Sequence, residues 1–154
     1  MKRLNKLIFF NQGAIPATRI ADIIQHHGSD ISIGAYSIFL GQVRADLAGN
    51  DQVSAISYTA YEDMALEKME AIGDAIFEKY AITGMEVIHS LGEVATGEIC
   101  LCVVLTAAHR KAAMDACSET VELIKSELPI WGKEHLTKEG HQWKINTTNG
   151  KHHT

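Results

Sequence analysis

CLCVVLTAAHRKAAMDACSETVELIKSELPIWGKE, residues 100–134, joins the most apolar run in the chain to its densest group of cations. Residues 100–105 are apolar and rich in valine and leucine, which predicts a short buried strand. The pattern changes at Thr106. From Arg110 onward Ala113, Ala116 with Cys117, Val121, Ile124 and Leu128 recur at helical spacing, while Lys111, Asp115, Ser118, Glu122 and Ser126 fall opposite. Pro129 disfavours helical geometry in the residue before it, so the helix ends near Leu128. His109 and Arg110 therefore stand where a strand hands over to a helix, Lys125 occupies the last turn, and Lys133 follows just past the proline. Lys125 falls at the edge of the apolar stripe, one turn from Val121, where its stem can be buried while its amine follows the boundary.

Cations near a helix C-terminus stabilise its dipole, and lysines usually sit in solvent, so Lys125 alone points to no chemistry. His109 and Arg110 differ. Positive charge is unfavourable at a helix N-terminus unless an anion is bound there. The sequence therefore asks for an anion.

A length of 154 residues with 46% hydrophobic side chains is enough to bury a core without disulfides and predicts a single domain over residues 1–154. A formal charge of -5 and a pI near 5.9 argue against broad nucleic-acid or anionic-membrane binding, which would want a basic face, so any positive site is expected to be local. No apolar run approaches the roughly 20 residues of a membrane span, and MKRLNKLIFFNQGAIP is too short in apolar residues for a secretory signal. The cytoplasm is the expected compartment. Cys100 and Cys102 on one side of a strand, and Cys117 on the apolar face of a helix, form neither a disulfide framework nor a zinc pattern, and are expected as small core residues.

Residues 7–10 predict a first strand, and Pro16 fits the first turn of a helix whose Ala17, Ile20, Ile24 and His27 share a face. His26 and His27 are adjacent and point apart, a poor metal pair with no function assigned. Residues 34–44 (GAYSIFLGQVR) are apolar on both faces, hence a central strand, and residues 45–52 are turn-rich and expected to be a mobile loop. Further strands are expected at 53–60, 85–89 and 98–105, with turns at 91–93 and 96–97, and a helix over 62–80. Beyond Pro129 only residues 141–146 (HQWKIN) look strand-like, and residues 1–5 and 147–154 are expected to fray. Strand pairs too close for crossovers, mixed with helices, predict an α+β domain with a mixed, mainly antiparallel sheet covered by helices.

With these pieces placed, the chain resembles the large, catalytic subunit family of molybdopterin synthase. The resemblance rests on FLGQVR (39–44), AYEDMA (60–65), HSLGEVATGE (89–98), TAAHRKAAMDA (106–116) and LIKSELPIWGKE (123–134), in this order and at these separations. It covers most of residues 34–143. It implies an α/β hammerhead-type fold and a homodimer of large subunits within a heterotetramer. The outer partners are small ubiquitin-like sulfur-carrier subunits, each ending in a Gly-Gly thiocarboxylate. The implied reaction is a sulfurtransferase step: two sulfur transfers that convert cyclic pyranopterin monophosphate into the dithiolene of molybdopterin, in molybdenum cofactor biosynthesis. The implied substrate pocket falls on Gln42, Val43, Arg44, His109, Arg110, Lys125, Gly132, Lys133 and Glu134, with His109 and Arg110 reaching the pocket of the neighbouring protomer.

The side chains suit two anions, a cyclic phosphate and a thiocarboxylate. Arg44 and Arg110 can bind phosphate oxygens through paired charge-assisted hydrogen bonds, where lysine acts as a point charge. A lysine with a partly buried stem can have a lowered pKa and serve as acid, base or nucleophile, which makes Lys125 the candidate nearest the sulfur transfer, with Lys133 beside it as a second catalytic candidate. His109 is open to a proton-shuttling or a merely structural role. Because the partner brings the sulfur, no cofactor, metal or catalytic cysteine is expected. One departure stands out: the family often has two basic residues after the tryptophan, and here Trp131 is followed by Gly132 and Lys133. Either Lys133 takes over the missing role or the role is dispensable.

Two rival readings remain open. A non-catalytic α+β dimer that binds a small anionic effector explains the anion site, but not Lys125 and Lys133 flanking one proline turn. An enzyme passing sulfur through a persulfide at Cys100, Cys102 or Cys117 needs an accessible, low-pKa thiolate, which apolar surroundings disfavour.

Overall fold

The computed structural model describes residues 6–137 and 141–143. In chain order the elements are β1 (Lys6–Gln12), α1 (Ala17–His27), β2 (Ala35–Gln42), β3 (Leu47–Ala48), β4 (Asp51–Ala60), α2 (Glu62–Lys79), β5 (Ile82–Ala95), β6 (Ile99–Ala107), α3 (Arg110–Glu127), β7 (Ile130–Leu136) and β8 (His141–Trp143). The strands form one sheet in the order β2-β6-β5-β4-β7-β8, with β1 parallel to β5 and every other pair antiparallel. This is the mixed, mainly antiparallel α+β arrangement expected. The expected frayed ends, 1–5 and 147–154, and the strand positions 144–146 lie outside the described residues.

β6 shows why residues 100–105 are apolar at nearly every position: both of its faces are covered. Leu101, Val103 and Leu105 pack with Met69, Ile72 and Ile76 of α2 and with Ala113, Val121 and Ile124 of α3. Cys102 and Val104 pack on the other face with Ile88 and with Ile23 of α1. α3 ends as predicted, because Leu128 before Pro129 is already extended (φ -78, ψ 136). No helix among the described residues is long and apolar enough to cross a membrane.

Four expectations are corrected. The strand expected to stop at His89 continues to Ala95, because β5 exchanges neighbours: its edge pairs with β1 up to Leu91, then with β4 from Gly92. Gly92 makes the changeover at φ 81, a conformation open to glycine at little cost. The expected loop 45–52 holds a tight hairpin, with Leu47 and Ala48 paired to Gln52 and Asp51. α1 buries Ile23 and His27 rather than Ile24, which is 43% exposed. The stripe is turned because α1 covers the β5 face that carries Glu86, and His27 Nε2 lies 2.7 Å from Glu86 Oε1 with both side chains buried. Finally, residues 130–136 are a full strand, β7, paired along β4.

Candidate functional site

The site begins at an irregularity between β2 and β6. Gly41 pairs with Leu101 but Gln42 pairs with Ile99, so Cys100 is an extra residue on β6, a β-bulge. The bulge turns Cys100 over. Simple alternation would put it with Cys102, as expected from the sequence, yet it packs with Leu101 and Val103 on the α2–α3 face. There its thiol donates to the Gly41 carbonyl oxygen at 3.4 Å and lies near enough to the Tyr58 hydroxyl to influence it electrostatically. Burial first, then Cys100, then the carboxylate of Glu134 push the Tyr58 phenol above its ordinary range, so it stays protonated as a donor.

From this bulge the chain leaves the sheet as Gln42, Val43 and Arg44. Val43 is 1% exposed; its N–H donates to Glu98 O at 3.0 Å and its carbonyl accepts from Gly97 N at 2.8 Å. Gln42 and Arg44, on either side of it, are exposed. The Arg44 guanidinium meets Asp46 through Nε at 3.3 Å and Nη2 at 3.4 Å, with about half of its side chain in solvent. Such an exposed pair contributes little, about 0–1 kcal/mol, so the guanidinium can be handed to a phosphate at small cost.

Lys125 sits on the last turn of α3, partly buried, beside the same bulge. Burial pulls its amine below the usual lysine range, and the nearby Cys100 and Glu122 offset this in part. Around Cys100, then, lie Gly41 near the end of β2, Tyr58 from β4 and Lys125 from α3, with Val43 and Arg44 following β2 in the chain. Tyr58 was not singled out from the sequence as a site residue, and Cys100 only as one of three cysteines in the persulfide reading. Tyr58 carried only the alternation of a strand, and a bulge has no periodic signature.

β7 divides the remaining candidates between two faces. Gly132 and Glu134 are buried on the Tyr58 face, where a β-carbon on Gly132 would stand 2.8 Å from Ile56 Cγ2 and 3.3 Å from Tyr58 Cε1. Lys133 alternates to the opposite face, paired across the sheet with Ser57, whose hydroxyl lies 2.7 Å from His135 Nε2. The strand does not carry Lys133 to the face on which Gly132 and Glu134 lie.

His109 caps α3 in an extended conformation (φ -127, ψ 145) without a side-chain cap, and the first turn of the helix holds no acid. His109 and Arg110 are both exposed, so the helix N-terminus presents open N–H groups and positive charge together. Arg110 precedes Lys125 by fifteen residues of continuous helix, which at 1.5 Å per residue is about 22 Å. Within one chain the His109–Arg110 pair and Lys125 are at opposite ends of α3.

All three cysteines are free and buried. Burial pushes the Cys102 thiol up to about 11 and raises that of Cys117, the wrong direction for a nucleophilic thiolate.

The family model described as MoaE protein matches residues 12–127. A protein named molybdopterin synthase catalytic subunit from Pyrococcus abyssi is 36% identical over 115 residues, covering 75% of this chain and 76% of the relative. The protein of the same name from Dictyostelium discoideum is 36% identical over 121 residues, covering 77% and 76%. Among solved structures, molybdopterin synthase from Staphylococcus aureus superposes with a TM-score of 0.74 at 27% identity, covering 91% of this chain and 96% of that one. A complex of subunits 1 and 2 of molybdopterin-converting factor from Helicobacter pylori gives 0.75 at 20% identity, covering 95% and 92%, a likeness of fold.

Proposed function

The chain belongs to the MoaE protein family, and on that premise we propose that it is the catalytic subunit of a molybdopterin synthase, a sulfurtransferase of molybdenum cofactor biosynthesis. Its substrate is cyclic pyranopterin monophosphate, and its sulfur donor is the C-terminal thiocarboxylate of a small ubiquitin-like partner. The observation that carries this reading is Lys125: a partly buried amine, held below the usual lysine range by burial, beside the bulge from which Arg44 emerges. A base or nucleophile needs an amine shifted toward its neutral form, a shift that anion binding alone does not call for.

The roles follow from placement. Arg44 takes the substrate phosphate, exchanging Asp46 for phosphate oxygens through its fork of donors. Gln42 and the buried Val43 form the wall beside it, and Glu134 and Gly132 close the inner end against Tyr58. Lys125 faces the carbon that receives sulfur and, when neutral, acts there as base or nucleophile. Lys133, on the other face of β7, is a flanking charge and contributes less than Lys125. His109 and Arg110 serve a second pocket, that of a neighbouring copy. The length of α3 keeps them from the Lys125 end of their own chain, and their exposed helix N-terminus is suited to the partner's or substrate's anionic group. A homodimer of this chain, flanked by two carriers, satisfies both requirements.

The test is reconstitution. Mixed with a thiocarboxylated ubiquitin-like carrier and cyclic pyranopterin monophosphate, the purified chain should yield molybdopterin and should form a stable complex with the carrier. A chain that binds the pterin but leaves the thiocarboxylate intact would support the effector-binding module instead.

A further inference from the structure

The bulge at Cys100 is held by groups that take no chemical step in the reading above. Gly41 carries a carbonyl at the point where the β2–β6 ladder slips, and the Cys100 thiol satisfies it at 3.4 Å. Tyr58 approaches that thiol from β4. The Tyr58 ring has little freedom. On one side it lies against the backbone of Gly132, where even a methyl group would stand 3.3 Å from its Cε1; on another it meets the edge of His89, with ring centroids 5.3 Å apart at 80°. A line of contacts therefore runs from β7 through Tyr58 on β4 and Cys100 on β6 to Gly41 on β2, passing over β5, and ends one residue before Gln42.

We propose that Tyr58 and Cys100 are positioning residues for Arg44: together they lock the bulge that sets the direction in which Gln42, Val43 and Arg44 leave the sheet. Bulges bend their strand and re-aim the side chains that follow. With Gly41 held by the Cys100 thiol and Val43 anchored to the 97–98 turn, the backbone is fixed on both sides of Gln42 and up to the residue before Arg44. The same line explains the glycine at 132. A side chain there would press on Ile56 Cγ2 at 2.8 Å and, at 3.3 Å, on the ring that braces the bulge. This inference rests on the reading of Arg44 as the phosphate-binding group.

The experiment titrates cyclic pyranopterin monophosphate into the complete complex with the carrier protein, for wild type, Tyr58→Phe, Arg44→Ala and the double variant. Tyr58→Phe keeps the ring on Gly132 and His89 and removes only the hydroxyl. It should weaken pterin affinity about fivefold, the scale of one lost polar contact, with carrier affinity and melting temperature nearly unchanged. In the Arg44→Ala background the same substitution should have no further effect. Cys100→Ala should reproduce the Tyr58→Phe loss. Wild-type affinity in Tyr58→Phe, or an equal loss with and without Arg44, overturns the positioning role while leaving a weakened Arg44→Ala, and with it the phosphate site, intact. Wild-type affinity in Arg44→Ala overturns the phosphate site and this proposal with it.

Discussion

Gly132 faces the ring of Tyr58 across the β4–β7 pair so closely that a β-carbon there would meet Tyr58 Cε1 at 3.3 Å and the buried Ile56 Cγ2 at 2.8 Å. Neither neighbour is a loose side-chain end: Ile56 is 2% exposed and Tyr58 is wedged against His89. Gly132→Ala should therefore cost about 1–3 kcal/mol of stability, the usual penalty for overpacking, and Gly132→Lys more. Urea unfolding measures it; an alanine variant as stable as wild type would mean that the sheet yields at this point.

Lys125 gives a pH signature. Its amine is depressed by burial in the folded chain but ordinary in the unfolded one, with an unfolded value of about 10.4. Below the depressed value both states carry the proton and the desolvation cost is fully present. Between the two values the unfolded chain binds more protons, so stability rises with pH and the cost is gone above the ordinary value. Lys125→Met, which fills similar space without charge, should melt above wild type at neutral pH, and the gap should close as the pH is raised through this window. Melting curves across pH that run parallel for the two proteins would contradict the shift.

The proposed dimer would leave a signature that single chains cannot. Arg110→Ala and Lys125→Ala should each be inactive, yet a mixture whose subunits have exchanged should recover activity, because in a mixed dimer one pocket collects both lesions and the other none. Random exchange makes about half of the dimers mixed, so roughly a quarter of wild-type activity returns by two-fold symmetry. Exchange verified by mass without recovery would place His109 and Arg110 in the pocket of their own chain.

The helices and the buried strand of residues 100–134 were legible because their apolar positions are periodic, and α3 matches its expected span to within a residue. β7 was not. Its inward positions are Gly132 and Glu134, so a period-2 apolar pattern never forms, and its strand character comes from pairing with β4. The site was half legible for the same reason. Lys125 and Arg44 stand at element ends that the sequence marks, whereas the side of β6 to which Cys100 turns depends on one slipped residue in the β2–β6 register. The separation of Lys133 from Gly132, adjacent in sequence and opposite in the sheet, became visible only once residues 130–136 were a strand.

Lys125 as the group at the sulfur transfer is tested most directly by single-turnover conversion of cyclic pyranopterin monophosphate with thiocarboxylated carrier, comparing wild type, Lys125→Ala and Lys133→Ala. Lys125→Ala should fold normally and form no molybdopterin, while Lys133→Ala, altered on the other face of β7, should retain most of the rate. A Lys125→Ala protein that converts the precursor within a few-fold of wild type would contradict the assignment and return Lys125 to the role of a boundary lysine at a helix end.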